Sequence, residues 1–191
     1  MTTHDGWAPD QVLSAFGLTG VTYFPRATSS RMHPGTASFL ATVGLPSSKV
    51  FSTKLDLYSP GQFECRLFLQ ATFDAEGAVL PEGTEKWEVL GEFQYATVAL
   101  DPQTGQIYSF AEGEEFYFPM HQDVSSLVHT LTVVETGLAE LKKLPRNDDQ
   151  ARTGAVEALR ETITRIDETP FASEDSQWSR FFEEIALGMW V

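Results

Sequence analysis

Hydrophobic positions recur at different spacings along the chain and divide it into a mixed N-terminal stretch, a strand-like middle and a helical end. Pro9 to Phe16 predicts a short helix, and Val21 to Pro25 a brief extended segment. Pro34 to Val43 reads as a helix opened by proline in its first turn and closed at Gly44. Its apolar residues Ala37, Phe39, Leu40 and Val43 partly follow helical spacing, and Leu45-Pro46 stops any continuation.

From Lys49 to Phe118 the pattern becomes strand-like. Val50 to Tyr58, Phe63 to Phe73, Trp87 to Phe93, Tyr95 to Leu100, Gln106 to Phe110 and Glu115 to Phe118 are rich in aromatic and β-branched residues. Turn formers separate them: Ser59-Pro60-Gly61, Asp74-Ala75-Glu76-Gly77, Pro81-Glu82-Gly83 and Gly113. Asp101-Pro102-Gln103-Thr104-Gly105 predicts a tight turn with glycine in the left-handed position, so its flanking strands should pair antiparallel. Connections this short make a meander, not a parallel sheet.

The last third has helical spacing. Val124, Leu127, Val128, Leu131, Val134, Leu138 and Leu141 share one face, with Asp123 as N-cap. Pro145 to Asp149 is a loop, and Ala155, Leu159, Ile163 and Ile166 mark the next helix. Ser173 is expected to cap a final helix with Glu174 and Asp175 in its first turn. That helix buries Trp178, Phe181, Phe182 and Ile185 and ends at Gly188. The expected class is α+β: an antiparallel sheet of about five to six strands from residues 49–118, flanked by N-terminal and C-terminal helices. One domain spans residues 1–191, with an N-terminal extension over about 1–20 and a helical part over 123–188.

Charge adds a location to this picture. The net charge is -14, and residues 55–141 hold fifteen acids against Arg66 and Lys86 alone. Residues 1–54 are net +2 and residues 142–191 net -3, with helical-spacing pairs such as Glu161 with Arg165 and Glu157 with Arg160. So acidic a chain is not expected to hold a nucleic-acid backbone or an anionic membrane. The longest uncharged stretch, Met32 to Ser48, is broken by prolines and glycines and predicts no membrane span. The first ten residues lack signal-peptide character, and a lone Cys65 fits a reducing compartment, so a cytoplasmic location is expected.

Candidate chemistry is sparse. There is no GxSxG, P-loop, GxGxxG or HExxH pattern. His4, His33, His121 and His129 lack metal-ligand spacing and read as surface histidines, with His129 off the apolar face of its helix. No metal or cofactor is expected. Cys65 reads as a small half-buried strand residue, and Trp87 and Trp178 read as core. A hydrolase built from carboxylates is the enzyme alternative, but no cleft is indicated.

The order of motifs carries more. FLATVGLP (Phe39 to Pro46), WEVLGEF (Trp87 to Phe93) and VALDPQTGQIYSF (Val98 to Phe110) come first. The helix Asp123 to Leu141 follows, then DSQWSRFFEEIALG within Asp167 to Gly188. Together these resemble the SUKH superfamily, and within it the fourth group of immunity proteins. Asp123 stands where asparagine is often the cap, and Gln177-Trp178 where a double tryptophan is common. The resemblance implies a curved antiparallel sheet with helices at one side and no catalytic residues. It further implies neutralisation of a cognate polymorphic toxin, often a nuclease or nucleic-acid deaminase.

With that resemblance, the unpaired carboxylates of the middle become candidates for a basic toxin domain. The expected toxin-binding residues are Glu112, Glu114 and Glu115 around Gly113, with Tyr108 and Tyr117, then Glu85, Glu88 and Glu92. The plain alternative for each glutamate is solvation, and for each tyrosine packing on a sheet face. A monomer or weak homo-oligomer is expected. The alternative role is a SUKH-type scaffold or regulatory module that recruits a cellular protein instead of a toxin.

Overall fold

The computed structural model describes residues 9–24, 32–54, 67–77, 79–94, 96–111, 116–145 and 148–190. At its centre lies the meander. Strands β5 (Glu88–Phe93), β6 (Ala96–Leu100), β7 (Ile107–Ala111) and β8 (Tyr117–His121) pair antiparallel in chain order. Strands β3 (Phe51–Thr53) and β4 (Leu67–Phe68) both pair with β5, which completes an open six-stranded sheet. A separate two-stranded piece joins β1 (Val21–Thr22) to β2 (Leu45–Pro46), so Leu45-Pro46 ends the preceding helix and also pairs.

The β6–β7 turn forms as its residues dictate. The Asp101 carboxylate accepts from Gln103 N at 2.8 Å and from Thr104 Oγ1 at 2.8 Å, while Gly105 takes φ +81°. Gly105 also lets the His33 ring approach, since a Cβ there would sit 3.3 Å from it. The hairpin is thereby held against helix α2 (Pro34–Thr42), whose N-cap is His33.

Alternation sends successive side chains of a strand to opposite sheet faces. Leu90, Phe93, Val98, Leu100, Ile107 and Met120 enter the main core beneath α1 (Pro9–Phe16), α2, α4 (Val124–Leu141) and α6 (Gln177–Ala186). Helix α4 is buried on most of its surface, as expected of an element packed by others on nearly every side. Its N-cap is Asp123, whose carboxylate accepts from Ser126 N at 2.9 Å. Helix α5 (Asp149–Thr164) lies against α4 and α6. In α6, Trp178, Phe181, Phe182 and Ile185 are all at most 3% exposed, and Phe93 packs on Trp178 at 4.4 Å. The C-terminal helix thus closes the end of β5.

Several expectations are corrected. Phe63 to Phe73 is not one strand: only Leu67–Phe68 is extended, and helix α3 (Leu69–Glu76) follows. Asp74 to Gly77 belongs to the end of that helix, where Gly77 at φ +67° makes a left-handed cap. Leu69 and Phe73 bury against Val89, Ala99 and Phe110, so a site on the sheet decided helix over strand. The last strand begins at Tyr117 and runs on to His121. Ser176, not Ser173, caps α6; it accepts from Ser179 N at 3.1 Å, and Ser173 accepts from Asp175 N one turn earlier. Ile166 lies beyond the end of α5 and is 51% exposed. Of Val50 to Tyr58, the described strand is Phe51–Thr53; residues 55–66, with Cys65, lie outside the described residues, as does His4.

Arg152 ties α5 to α6. Its Nε donates to the Ala186 carbonyl at 3.1 Å, its guanidinium pairs with Asp149, and only 12% of its side chain is exposed. A cation on the last carbonyls of a helix offsets the negative end of its dipole. Arg152→Met is therefore expected to lower stability by about 1–2 kcal/mol. Hydrogen exchange at Leu187 and Met189 should rise before the rest of the fold is affected; unchanged exchange there would contradict the assigned tie.

Candidate functional site

The sheet face turned away from the main core is only partly covered. Cross-strand register builds two rows on it: Val89, Ala99, Tyr108 and Pro119, and beside it Glu92, Thr97, Phe110 and Tyr117. Helix α3 covers part of it through Leu69 and Phe73, with Phe73 edge-on to Phe110 at 5.8 Å. What remains is an aromatic patch of Trp87, Tyr108 and Tyr117 over the buried Phe110. Tyr117 is 36% exposed, and Trp87 and Tyr108 are half-buried.

Tyr108 donates from its hydroxyl to Gln106 Oε1 at 2.7 Å. Burial, the Asp101 charge and Tyr117 together raise its pKa, so it is held as the neutral phenol. Glu85, two residues before Trp87, is exposed and accepts from Gly83 N at 3.2 Å. Glu92 is also exposed, and its carboxylate pairs with Lys54 at 3.0 Å, a basic partner distant in sequence. Such an exposed pair adds little stability but partly neutralises Glu92.

The structure therefore brings Tyr108 and Tyr117 together, their rings 5.3 Å apart, and puts Glu92 in the same cross-strand row as Tyr117. Glu88 is different: at 2% exposure it lies within the fold, opposite Leu100 and Phe68. Glu85 and Glu92 are thus exposed while Glu88 is not. Glu112, Glu114 and Glu115 lie outside the described residues. Trp87, expected as core, is the member of the patch that sequence reasoning missed.

A second cluster has the composition of a hydrolytic triad but different wiring. His121, Ser126 and Asp167 are at most 4% exposed. Trp178 Nε1 donates to His121 Nε2 at 2.8 Å, so the histidine proton sits on Nδ1, 3.3 Å from Asp167 Oδ2. Ser126 Oγ donates to the same carboxylate oxygen at 2.7 Å, as does Gln122 N at 2.9 Å, and Thr169 N donates to Asp167 Oδ1 at 2.9 Å. Burial pushes the His121 pKa down despite Asp167 beside it. For Asp167, burial pulls upward, but these donors outweigh it and hold the carboxyl well below the usual range. A serine nucleophile would need an open base nitrogen and a route for substrate. Here the nitrogen is occupied and the serine proton faces the carboxylate. The cluster is a tie between β8, α4 and α6. His121 and also His129, at 7% exposure, are thus buried and not surface histidines.

A groove of about 510 Å³ between α4 and α5 is lined by Val133, Gly137, Leu141, Leu144, Ala155 and Leu159. The Thr136 and Thr162 hydroxyls beside it return to their own helix carbonyls, and Glu140 and Lys143, which also line it, are exposed and pair with each other at 2.6 Å. Among the described residues, no group of three or more His, Cys, Asp or Glu side chains is placed to hold a metal ion. No helix among them is long and apolar enough to cross a membrane.

Comparison with known proteins gives one finding. The model of the SUKH-4 immunity protein family matches residues 8–184 of the chain. No curated protein and no solved structure gives a significant match.

Proposed function

The chain belongs to the SUKH-4 immunity protein family, and from that premise we propose that it neutralises a cognate toxin by covering the toxin's active site with the outer face of its sheet. The observation that carries this reading is the half-exposed aromatic patch of Trp87, Tyr108 and Tyr117, beside Glu85 and Glu92 on an otherwise acidic stretch. Tyrosine and tryptophan anchor interfaces because they combine large apolar area with a polar tip and lose little conformational entropy. Carboxylates around them steer a basic partner and reject acidic bystanders.

A toxin that cuts or deaminates nucleic acid needs a basic cleft for phosphates. The proposed inhibitor opposes that cleft with charge and seals it with aromatic area, in the cell interior where such a toxin would act. Glu112, Glu114 and Glu115 extend the acidic rim in this proposal; Glu88, being buried, has no contact role.

The test is association of the purified cognate toxin domain with the chain and with a variant carrying lysine at 85, 112, 114 and 115 and Glu92→Gln. Glutamine at 92 avoids setting a second cation against Lys54. Association in low salt is expected to slow by about tenfold or more, and its salt dependence to flatten. An association rate equal to that of the parent across salt concentrations would rule the acidic surface out. Growth rescue on co-expression checks the role itself: failure with every neighbouring toxin would favour the scaffold alternative.

A further inference from the structure

The four rings of the patch are two stacked pairs set across one another. Trp87 lies against Tyr108 at 4.6 Å and 33°, and Tyr117 against Phe110 at 5.2 Å and 35°. Across the pairs, Tyr117 meets Trp87 at 66° and Tyr108 at 89°. Phe110 is buried at 4% and lies 5.2 Å from Tyr117, which keeps 36% exposure. The result is a corner: a partly exposed Tyr117 ring with a second aromatic pair set across it.

The field at this corner is negative. Ring faces carry the negative side of the aromatic quadrupole. Asp101 stands close enough to Tyr108 to disfavour a phenolate there, and Glu92 lies further off, in the same cross-strand row as Tyr117 but three strands away. Lys54 offsets Glu92 only in part, because both side chains are about half exposed to water, at 41% and 48%.

We propose that this corner seats an arginine side chain of the toxin, its guanidinium plane stacked on the exposed part of Tyr117 within the acidic field of this sheet face. This inference rests on the reading that the outer sheet face meets the toxin. Arginine fits better than lysine for a physical reason. A guanidinium is flat and weakly hydrated, so it stacks at little desolvation cost while its edge still donates; an ammonium is compact and strongly hydrated.

Two probes of equal length and charge test it on the full isotope-labelled chain: acetyl-Gly-Arg-Gly-Arg-Gly-amide and its lysine counterpart. The Trp87 indole N–H and the Tyr117 amide are followed by NMR. The arginine peptide is expected to bind about threefold or more tighter than the lysine peptide. Tyr117→Phe should keep that preference and Tyr117→Leu should abolish it. Equal response to both peptides, or no response to either, overturns the arginine seat. Adding the cognate toxin domain separates the two readings. If the toxin leaves both signals unmoved while the peptide preference persists, the docking face is wrong and the seat stands. If the toxin moves them without a peptide preference, the face stands and the seat fails.

Discussion

Asp167→Ala is expected to destabilise the fold by about 3–5 kcal/mol, because it removes the acceptor from a buried set of donors. The carboxylate takes hydrogen bonds from His121 Nδ1, Ser126 Oγ, Gln122 N and Thr169 N, and Asp167 is 4% exposed. Ser126 can fall back on the Asp123 carbonyl, already 3.0 Å away. The two backbone N–H groups lose this acceptor altogether. Urea unfolding measures the loss, and a cost below about 1 kcal/mol would show that water replaces the carboxylate freely.

The same tie predicts how stability depends on pH. His121 has a lowered pKa in the fold and titrates near 6.5 when unfolded. The unfolded chain therefore binds more protons below 6.5, and stability falls as pH drops through that window; above it the contribution is complete. Protonation would set a second N–H against the Trp178 N–H, while the charges of Asp167 and Asp123 oppose the shift. Asp167 adds a second loss only below its unfolded value of 3.8. His129, lowered by burial and by His121 though opposed by the Thr162 backbone, contributes in the upper window. In His129→Gln, stability should still fall between about pH 6.5 and pH 5, by at most about 1.4 kcal/mol per unit. A flat profile in that variant would mean that the folded state accepts the proton on His121.

Gly91→Ala is the second large effect, expected at about 2–3 kcal/mol. Gly91 pairs with Thr53 on one side and Val98 on the other, beside an irregularity in the β5–β6 register. A Cβ there would lie 2.4 Å from the Ser52 carbonyl oxygen and 2.5 Å from the Phe51 ring. Phe51 is 1% exposed, so its ring has nowhere to go without opening the core. Adding Phe51→Leu should recover only part of the loss, since the carbonyl clash remains. Full recovery would place the strain in the ring alone. Both variants are compared by denaturant midpoint at constant m-value.

The meander and the amphipathic helices were legible because their signals are local. Asp101 to Gly105 closes its hairpin with its own side chains and one positive-φ glycine, and Asp123 caps α4 three residues away. Leu69 to Phe73 was misread because a short aromatic run does not distinguish strand from helix, and the contact that decides it lies on β5 to β7. The aromatic pair Tyr108 and Tyr117 could be picked out, but Glu88 could not be told from Glu85 and Glu92. Its burial depends on which sheet face and which neighbour it meets.

By itself, then, the sequence determined the antiparallel meander, the helices that flank it and the acidic middle of the chain. These depend on periodicity, turn chemistry and charge within a few residues or one segment. Only the tertiary structure decided that Trp87 joins the tyrosines on an open face, that Lys54 partly neutralises Glu92, and that His121, Asp167 and Trp178 form one buried tie. Those partners lie 38, 46 and 57 residues apart in the Lys54–Glu92, His121–Asp167 and His121–Trp178 pairs. Nothing local records such pairings, because the free energy that selects them comes from packing the whole sheet and its helices at once.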